Sequence, residues 1–196
     1  MNGNAGITAL ALVGMPGGGK STVGRQLAKR LSWSFADSDA LIEKRIGTSI
    51  RSFFEREGEK AFRELESSVV DELTLTTRLV IATGGGAVLK PENQQRLNTR
   101  CRVIYLHSSP EELYRRLRHD SSRPLLQVAD PLAKLRELYQ QRDPLYRRLA
   151  HFTVETGRPS VAALVNTVLM QLELAGEIDP TLTPSPVDPS PGAPER

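Results

Sequence analysis

Short apolar segments alternate with longer amphipathic segments through the first 175 residues of the chain. The apolar segments predict five β-strands, at residues 8–14, 35–37, 79–83, 102–107 and 152–154. Each predicted strand is followed by a helical pattern or leads into one, and this alternation predicts an α/β fold with a mainly parallel sheet. The continuous apolar runs at residues 10–13 and 79–82 are typical of central strands that helices cover on both faces.

The amphipathic segments carry recognisable helix boundaries. Residues 19–31 place an apolar residue at every fourth position, and residues 161–174 form the last amphipathic helix. Thr48 or Ser49 can cap a helix that ends near Gly58. Further helices are predicted to begin at the prolines that a first helical turn tolerates: Pro91, Pro110 and Pro131.

The composition changes at Gly176. The 21 residues from 176 to 196 hold six of the chain's 13 prolines and few large apolar side chains. Such a segment buries too little surface to offset the entropy lost on ordering. The sequence therefore predicts one domain at residues 1–175 and a disordered tail at 176–196 that the chemistry does not need.

The charge and cysteine content narrow the class of protein. The net charge of +3 is small, and Lys and Arg are mixed with Asp and Glu rather than gathered in a block that would bind nucleic acid. The apolar run at 7–13 is too short to span a membrane. Cys101 is the single cysteine, so no internal disulfide forms, which fits a reducing cytoplasm. We expect a cytoplasmic monomer without nucleic-acid or membrane partners.

A phosphate-binding motif occupies residues 14–21, which read Gly-Met-Pro-Gly-Gly-Gly-Lys-Ser. The sequence fits G-x-x-x-x-G-K-[ST], follows a predicted strand and opens a predicted helix, as a P-loop requires. In that arrangement backbone N–H groups face phosphate oxygens, Lys20 reaches the β- and γ-phosphates, and Ser21 offers its hydroxyl to Mg²⁺. The alternative, a glycine-rich turn without a ligand, does not explain the combination of strand, motif and helix.

Two acidic residues follow the second predicted strand. Asp37 and Asp39 are two positions apart and would face the same way from the carboxyl edge of the sheet, where open α/β sheets bind ligands. One carboxylate would serve Mg²⁺ and the other the hydroxyl that accepts phosphate. The alternative role for Asp39 is the N-cap of a helix over residues 40–45.

Several arginines and a glycine run have two readings each. Arg63 can pair with Glu59 across one helical turn. The run at 84–86 ends an apolar strand and either lets a ligand approach the backbone or forms a flexible turn. Arg123 lies in a polar stretch that could be a lid, and Arg142 precedes a proline. Both arginines could equally be solvated surface residues.

Taken in order, these motifs resemble the shikimate kinase family. The resemblance covers residues 8 to about 173, and its six motifs together are far more specific than the P-loop. They are Gly14-x-x-Gly17-x-Gly19-Lys20-Ser21, Asp37-Ser38-Asp39, Gly58-Glu59-x-x-Phe62-Arg63-x-x-Glu66, Gly84-Gly85-Gly86, Arg123-Pro124-Leu125-Leu126 and Arg142-x-Pro144-Leu145-Tyr146.

The resemblance implies a P-loop kinase fold of the nucleoside-monophosphate-kinase type. A three-layer sandwich would surround a central five-stranded parallel sheet, with a substrate-binding segment near residues 38–66 and a lid near 112–126. The implied reaction is transfer of the γ-phosphate of ATP to the 3-hydroxyl of shikimate. The products would be shikimate 3-phosphate and ADP, on the route through chorismate to aromatic amino acids.

The resemblance also implies residue roles. The catalytic residues would be Lys20, Asp39 and Arg123, and Mg²⁺ would be served by Ser21 and Asp37. The shikimate site would consist of Asp39, Arg63, Gly84, Gly85, Gly86 and Arg142, with the two arginines on the carboxylate. The ATP site would consist of Gly17, Gly18, Gly19, Lys20, Ser21, Thr22, Arg118, Arg123 and Arg158.

Three other functions are compatible with parts of the sequence. A P-loop kinase for gluconate or a nucleotide would share the phosphate cradle, but the Asp-Ser-Asp, Phe-Arg and Arg-Pro-Leu-Leu motifs disfavour it. A nucleotide-dependent regulatory or nucleic-acid-binding module would need a clustered basic stripe, which the sequence lacks. An inactive kinase would have lost catalytic residue types, all of which are present here.

Overall fold

A computed structural model of the protein describes residues 8–118 and 128–178. Five parallel strands form one sheet in the order β2-β3-β1-β4-β5. The strands are β1 (Ala9–Val13), β2 (Ser34–Asp37), β3 (Leu79–Ala82), β4 (Arg102–His107) and β5 (Phe152–Glu155). The helices are α1 (Lys20–Leu31), α2 (Ser38–Ile46), α3 (Ile50–Leu75), α4 (Pro91–Arg100), α5 (Pro110–Leu117), α6 (Pro131–Leu149) and α7 (Val161–Leu174), with a 3₁₀ turn at Ala87–Leu89.

Two hydrophobic cores cover the two faces of the sheet. Alternate residues of β1 divide between them, Ala9 and Ala11 joining one core and Leu10 and Leu12 the other. The first core takes side chains from α2 to α6, and the second takes them from α1 and α7. Because both faces are covered, every residue of β1 is fully buried. The predicted three-layer sandwich around a five-stranded parallel sheet is confirmed.

The predicted helix boundaries also appear in the structure. Ser49, rather than Thr48, caps α3, and its Oγ accepts a hydrogen bond from the N–H of Ser52 at 3.1 Å. Gly58 interrupts this segment with φ 81° and ψ 171°, so the first helical piece ends where the sequence predicts. The second piece, from Glu59 onward, carries the side chains that matter for the site.

Residues just beyond the predicted boundary at 175 contact the folded unit. Ile178 packs against the second core, and the backbone N–H of Glu177 donates to the carbonyl of Leu172 at 2.9 Å. The Glu177 side chain is only 10% exposed and pairs with Arg102 of β4. From these contacts we propose that the domain extends to residue 178 rather than 175. The rest of the predicted tail, 179–196, lies outside the described residues.

Two truncations test this boundary. Removal of residues 179–196 should leave the melting temperature unchanged, because their composition favours no packing. Removal of residues 176–196 should also leave Arg102 without Glu177 and uncover the second core. Loss of that ion pair and the Ile178 contact should cost about 1–3 kcal/mol, or several degrees. Thermal unfolding followed by circular dichroism measures both. Equal melting temperatures for the two truncated chains would place the boundary back at 175.

Candidate active site

The P-loop curls around the first turn of α1. Gly19 is the N-cap of this helix with φ 88° and ψ 10°, a left-handed conformation that glycine adopts without strain. No side chain caps the helix, so its first N–H groups face the loop and can bind an anion. Lys20 is 8% exposed, and its Nζ donates to the carbonyls of Gly14 and Met15, both at 2.8 Å. The ammonium group is therefore held inside the loop.

A hydroxyl and a carboxylate meet beside the loop. Ser21 Oγ donates to Asp37 Oδ2 at 2.5 Å. Asp37 also caps α2, since its Oδ1 accepts from the N–H groups of Asp39 at 3.1 Å and Ala40 at 3.3 Å. The capping residue is thus Asp37, and the alternative capping role for Asp39 is wrong. Hard oxygen ligands of this kind suit Mg²⁺, which keeps most of its waters or takes phosphate oxygens.

Asp39 reaches the same place by a different route from the predicted one. Strand β2 ends at Asp37, so Asp39 lies in the first turn of α2 rather than two positions along a strand. The pKa of Asp39 is raised, first by burial and then by the charge of Asp37, while Lys20 and Arg63 oppose the rise. A buried carboxylate with a raised pKa is suited to accepting a proton.

One cavity of about 340 Å³ joins the loop to the acidic residues. Its wall includes both carboxylates and the P-loop lysine, and the last residue of α5, Leu117, closes one side. The lining residues are Pro16, Gly17, Gly19, Lys20, Ser21, Thr22, Asp37, Asp39, Thr83, Gly85 and Leu117. Gly18 completes the loop, its N–H bonded to the carbonyl of Met15 at 3.1 Å.

The glycine run at the end of β3 is packed against charged side chains. A Cβ on Gly84 would lie 2.5 Å from Asp39 Oδ1, and a Cβ on Gly86 would lie 2.5 Å from Arg63 Nη1. The N–H of Gly84 donates to Ser38 Oγ at 2.8 Å, which fixes the run to the start of α2. The run is therefore a fixed wall of the site rather than a loose turn.

Arg63 is held by a buried carboxylate. Its Nη1 donates to Glu66 Oε2 at 2.7 Å, whereas the contact to Glu59 is longer, at 3.4 Å, and exposed. The side chain of Glu66 is 2% exposed. Burial raises the pKa of Glu66, and the charge of Arg63 opposes this rise. The Arg63–Glu59 pair foreseen as the alternative does form, but Glu66 is the partner that aims the guanidinium.

Arg142 approaches the same cluster from α6. Its charge also acts on the pKa of Glu66, so the two arginines share one neighbour. Within the described parts of the chain, the buried Nε of Arg142 has no hydrogen-bond partner. A buried donor without an acceptor is costly unless a ligand supplies one. The half-buried position of Arg142 is unlike that of a solvated surface arginine.

A second, wider cavity of about 640 Å³ lies between α5 and the loop after β5. It is lined by Glu111, Glu112, Arg115, Arg116, Gly157 and Arg158. Arg158 thus lines a cavity beside α5, and its contact with ATP stays a prediction. Arg118 follows the last turn of α5 and lines neither cavity. Arg123, with most of the predicted lid, lies outside the described residues.

Sequence reasoning missed three residues that the structure brings to these sites. Glu66 stood in a motif without a role, although its spacing of three from Arg63 allows a pair on one helical face. Arg116, rather than Arg118, lines the outer cavity with Arg158, and it donates to the backbone carbonyl of Thr156. Tyr146 stood in the last motif without a role, and its contact with Gly85 spans 61 residues, so no local pattern indicates it.

Comparison with known proteins identifies the family. The sequence model of the shikimate kinase family matches residues 16–173. The shikimate kinase of Paracidovorax citrulli is 58% identical over 171 residues, which cover 86% of this chain and 93% of that protein. The shikimate kinase of Ralstonia nicotianae is 53% identical over 180 residues, covering 92% and 95%.

Solved structures show the same relationship. Shikimate kinase from Acinetobacter baumannii in complex with shikimate superposes with a TM-score of 0.82 at 44% identity, covering 88% of this chain and 96% of that one. A gluconokinase from Sinorhizobium meliloti reaches a TM-score of 0.55 at 17% identity, which shows a shared fold only. With the family match spanning nearly all of the domain, the chain belongs to the shikimate kinase family.

Proposed function

We propose that the protein transfers the γ-phosphate of ATP to the 3-hydroxyl of shikimate with the residues of the inner cavity. One observation carries the residue assignment. Asp39 lines the same cavity as Lys20, while its Oδ1 abuts the glycine run whose last member touches Arg63. The P-loop, the proposed base and the proposed carboxylate-binding arginine are thereby linked through one cavity and the glycine run that borders it.

The acceptor carboxylate is assigned to the two arginines. A guanidinium binds a carboxylate through two parallel N–H···O bonds, and Arg142 has a buried Nε to offer. Glu66 keeps Arg63 oriented before the acceptor arrives. With the carboxylate held at that end, the ring hydroxyls face Asp39 and the wall formed by residues 84–86.

Asp39 serves the accepting hydroxyl. It hydrogen-bonds the 3-hydroxyl, directs the oxygen lone pair at the γ-phosphorus, and takes the proton as the new P–O bond forms and the bond from the γ-phosphorus to the departing ADP oxygen breaks. Phosphoryl transfer needs mainly positioning and charge stabilisation, so a single well-placed carboxylate suffices. The raised pKa of Asp39 makes it a better proton acceptor than an exposed aspartate.

The nucleotide end is assigned to the P-loop and the outer cavity. When ATP binds, Lys20 exchanges the carbonyls of Gly14 and Met15 for the β- and γ-phosphates. Arg158 flanks the adenine ring. Ser21 and Asp37 would hold Mg²⁺, which when bound neutralises charge on the phosphate oxygens. From the resemblance, Arg123 is assigned the role of closing over both substrates, and Arg118 is assigned a contact with the adenine ring.

The partners and the cellular location of the protein are proposed from its family and composition. The proposed partners are shikimate and ATP only, with a monomeric enzyme in the cytoplasm. The buried thiol of Cys101, whose pKa burial raises to about 12, supports a chain that relies on no disulfide chemistry. No helix in the described ranges 8–118 and 128–178 is long and apolar enough to cross a membrane.

The acceptor is tested directly by a coupled assay of ADP release. ATP and Mg²⁺ are supplied with shikimate, gluconate, a nucleoside monophosphate or no acceptor. Turnover with shikimate alone supports the proposal. Turnover with gluconate or a nucleotide instead would assign the site to another small-molecule kinase of the same fold.

The first prediction concerns the phosphate cradle. Lys20→Met keeps the aliphatic volume of a largely buried side chain but removes its charge. Transfer should fall by about a hundred- to a thousandfold, the range seen when a charge-stabilising group is removed from a transition state. Binding of shikimate without nucleotide should be unchanged. Calorimetry and the ADP-release assay measure these quantities, and near-normal turnover would contradict the assignment.

The second prediction separates acceptor binding from ATP binding. Arg63→Ala and Arg142→Ala should each weaken shikimate binding by about ten- to a hundredfold, the value of one charge-assisted hydrogen bond. Lysine should restore binding only in part, because it lacks the planar fork. Titration calorimetry with an ATP analogue provides the control, and its Kd should barely move. Unchanged shikimate affinity in both variants would return the arginines to a surface role.

The third prediction concerns pH. A base must be ionised, so kcat should fall as the pH drops through the raised pKa of Asp39, above the usual value of about 3.9. The charge of Glu43 contributes to that rise. Glu43→Gln should therefore move the acid limb of the kcat profile to lower pH, while its side-chain oxygen can still accept from Ile50. An acid limb that stays in place, or moves up, would contradict Asp39 as the titrating base.

A further inference from the structure

Two buried tyrosines lie side by side next to the proposed shikimate site. Tyr105 of β4 and Tyr146 of α6 are both fully buried, and their ring centroids are 5.0 Å apart. Their hydroxyl groups point to different partners. Tyr105 donates to Asp143 Oδ1 at 2.9 Å, whereas Tyr146 donates to the backbone carbonyl of Gly85 at 2.5 Å. Only the second contact reaches a residue assigned to the substrate site.

Arg142 lies beside the same hydroxyl of Tyr146. The two residues are four positions apart on α6 and therefore share a helix face. Burial raises the pKa of the Tyr146 phenol, and the nearby charge of Arg142 opposes that rise. A phenol can accept one hydrogen bond and donate another. The Tyr146 O–H donates to the Gly85 carbonyl, so the phenol oxygen is able to accept from an Arg142 N–H.

Gly85 is fixed from its other side by the nucleotide cradle. A Cβ added to Gly85 would lie 2.8 Å from Pro16 Cδ, so the P-loop packs directly on this residue. The glycine run is thus clamped between Pro16 and the phenol of Tyr146. The Tyr146 hydroxyl therefore lies between the P-loop side of the site and the α6 face that carries Arg142.

We propose that Tyr146 is a positioning residue for the acceptor, whose hydroxyl holds Arg142 and the glycine run in a fixed relation before shikimate binds. This inference rests on the proposed roles of Arg142 and Gly85. An arginine tied to a buried phenol has fewer rotamers to lose when it grips a carboxylate, which raises affinity without a new contact. Burial also raises the pKa of Tyr146, so the phenol remains a donor at neutral pH.

The variant Tyr146→Phe removes this hydroxyl while keeping the ring and its packing. The KM for shikimate should rise about three- to tenfold, the value of one neutral hydrogen bond, while the KM for ATP stays within about twofold. The kcat should also stay within about twofold, because Tyr146 touches neither the reacting oxygen nor the phosphate. A change in kcat with an unchanged KM for shikimate would contradict the proposal.

Tyr105→Phe is the matched control. It removes a buried hydroxyl from the same ring pair, and Asp143 keeps its bond to Arg147 Nε at 2.8 Å. A purely structural role for Tyr146 predicts that both variants melt at a lower temperature and that neither changes the KM for shikimate selectively. The proposal predicts a selective rise only for Tyr146→Phe. Equal KM values in the two variants would overturn it.

A double substitution separates this inference from the function on which it rests. If Tyr146 acts through Arg142, shikimate binding by Arg142→Ala/Tyr146→Phe should be weaker than by Arg142→Ala alone by less than the single effect of Tyr146→Phe. Full additivity would overturn the proposal and leave the role of Arg142 intact. Unchanged binding by Arg142→Ala would instead refute the assigned carboxylate site, and the positioning role with it.

Discussion

Parallel pairing of β1, β2 and β3 is the constraint on which the rest of the structure depends. Parallel strands end at the same edge of a sheet, so the P-loop, Asp37 and the glycine run are brought together by backbone hydrogen bonding. This convergence needs no contact between side chains, because backbone pairing alone aligns the strand ends. Helices on both faces then bury the central strand completely, which keeps the edge rigid.

Charged carboxyl groups are buried at that edge of the sheet, and their desolvation changes their pKa values. Asp39 and Glu66 both have raised pKa values, because their carboxylates have lost much of their hydration. Such groups persist only when they are paired, and Arg63 lies next to both. The buried pair of Arg63 and Glu66 therefore adds little to the free energy of unfolding. Its main effect is to orient Arg63, since a guanidinium held at one end presents its remaining donors in a fixed direction.

The proposed substrate site is built from elements that are distant in the chain but meet at the glycine run. The run contacts α2 through Asp39, α3 through Arg63, the P-loop through Pro16 and α6 through Tyr146. A side chain at Gly84 or Gly86 would occupy the space of a charged group, so only glycine fits between these elements.

The sequence by itself determined the local features. Apolar periodicity placed the five strands, and the P-loop motif located the phosphate cradle, because these depend on residues close together in the chain. The order of six motifs identified the family. Ser49 or Thr48 as a cap, and Gly58 as a break, were also readable, since capping and positive φ depend on a few neighbouring residues.

Only the tertiary structure decided which groups face one another. It made Asp37 the helix cap and put Asp39 on α2, because the exact end of β2 is set by pairing with β3. It gave Glu66 and Tyr146 their partners, and it placed Glu177 against Arg102 of β4 and Ile178 against the second core. These outcomes depend on packing between residues far apart in sequence, where no local pattern records the partner.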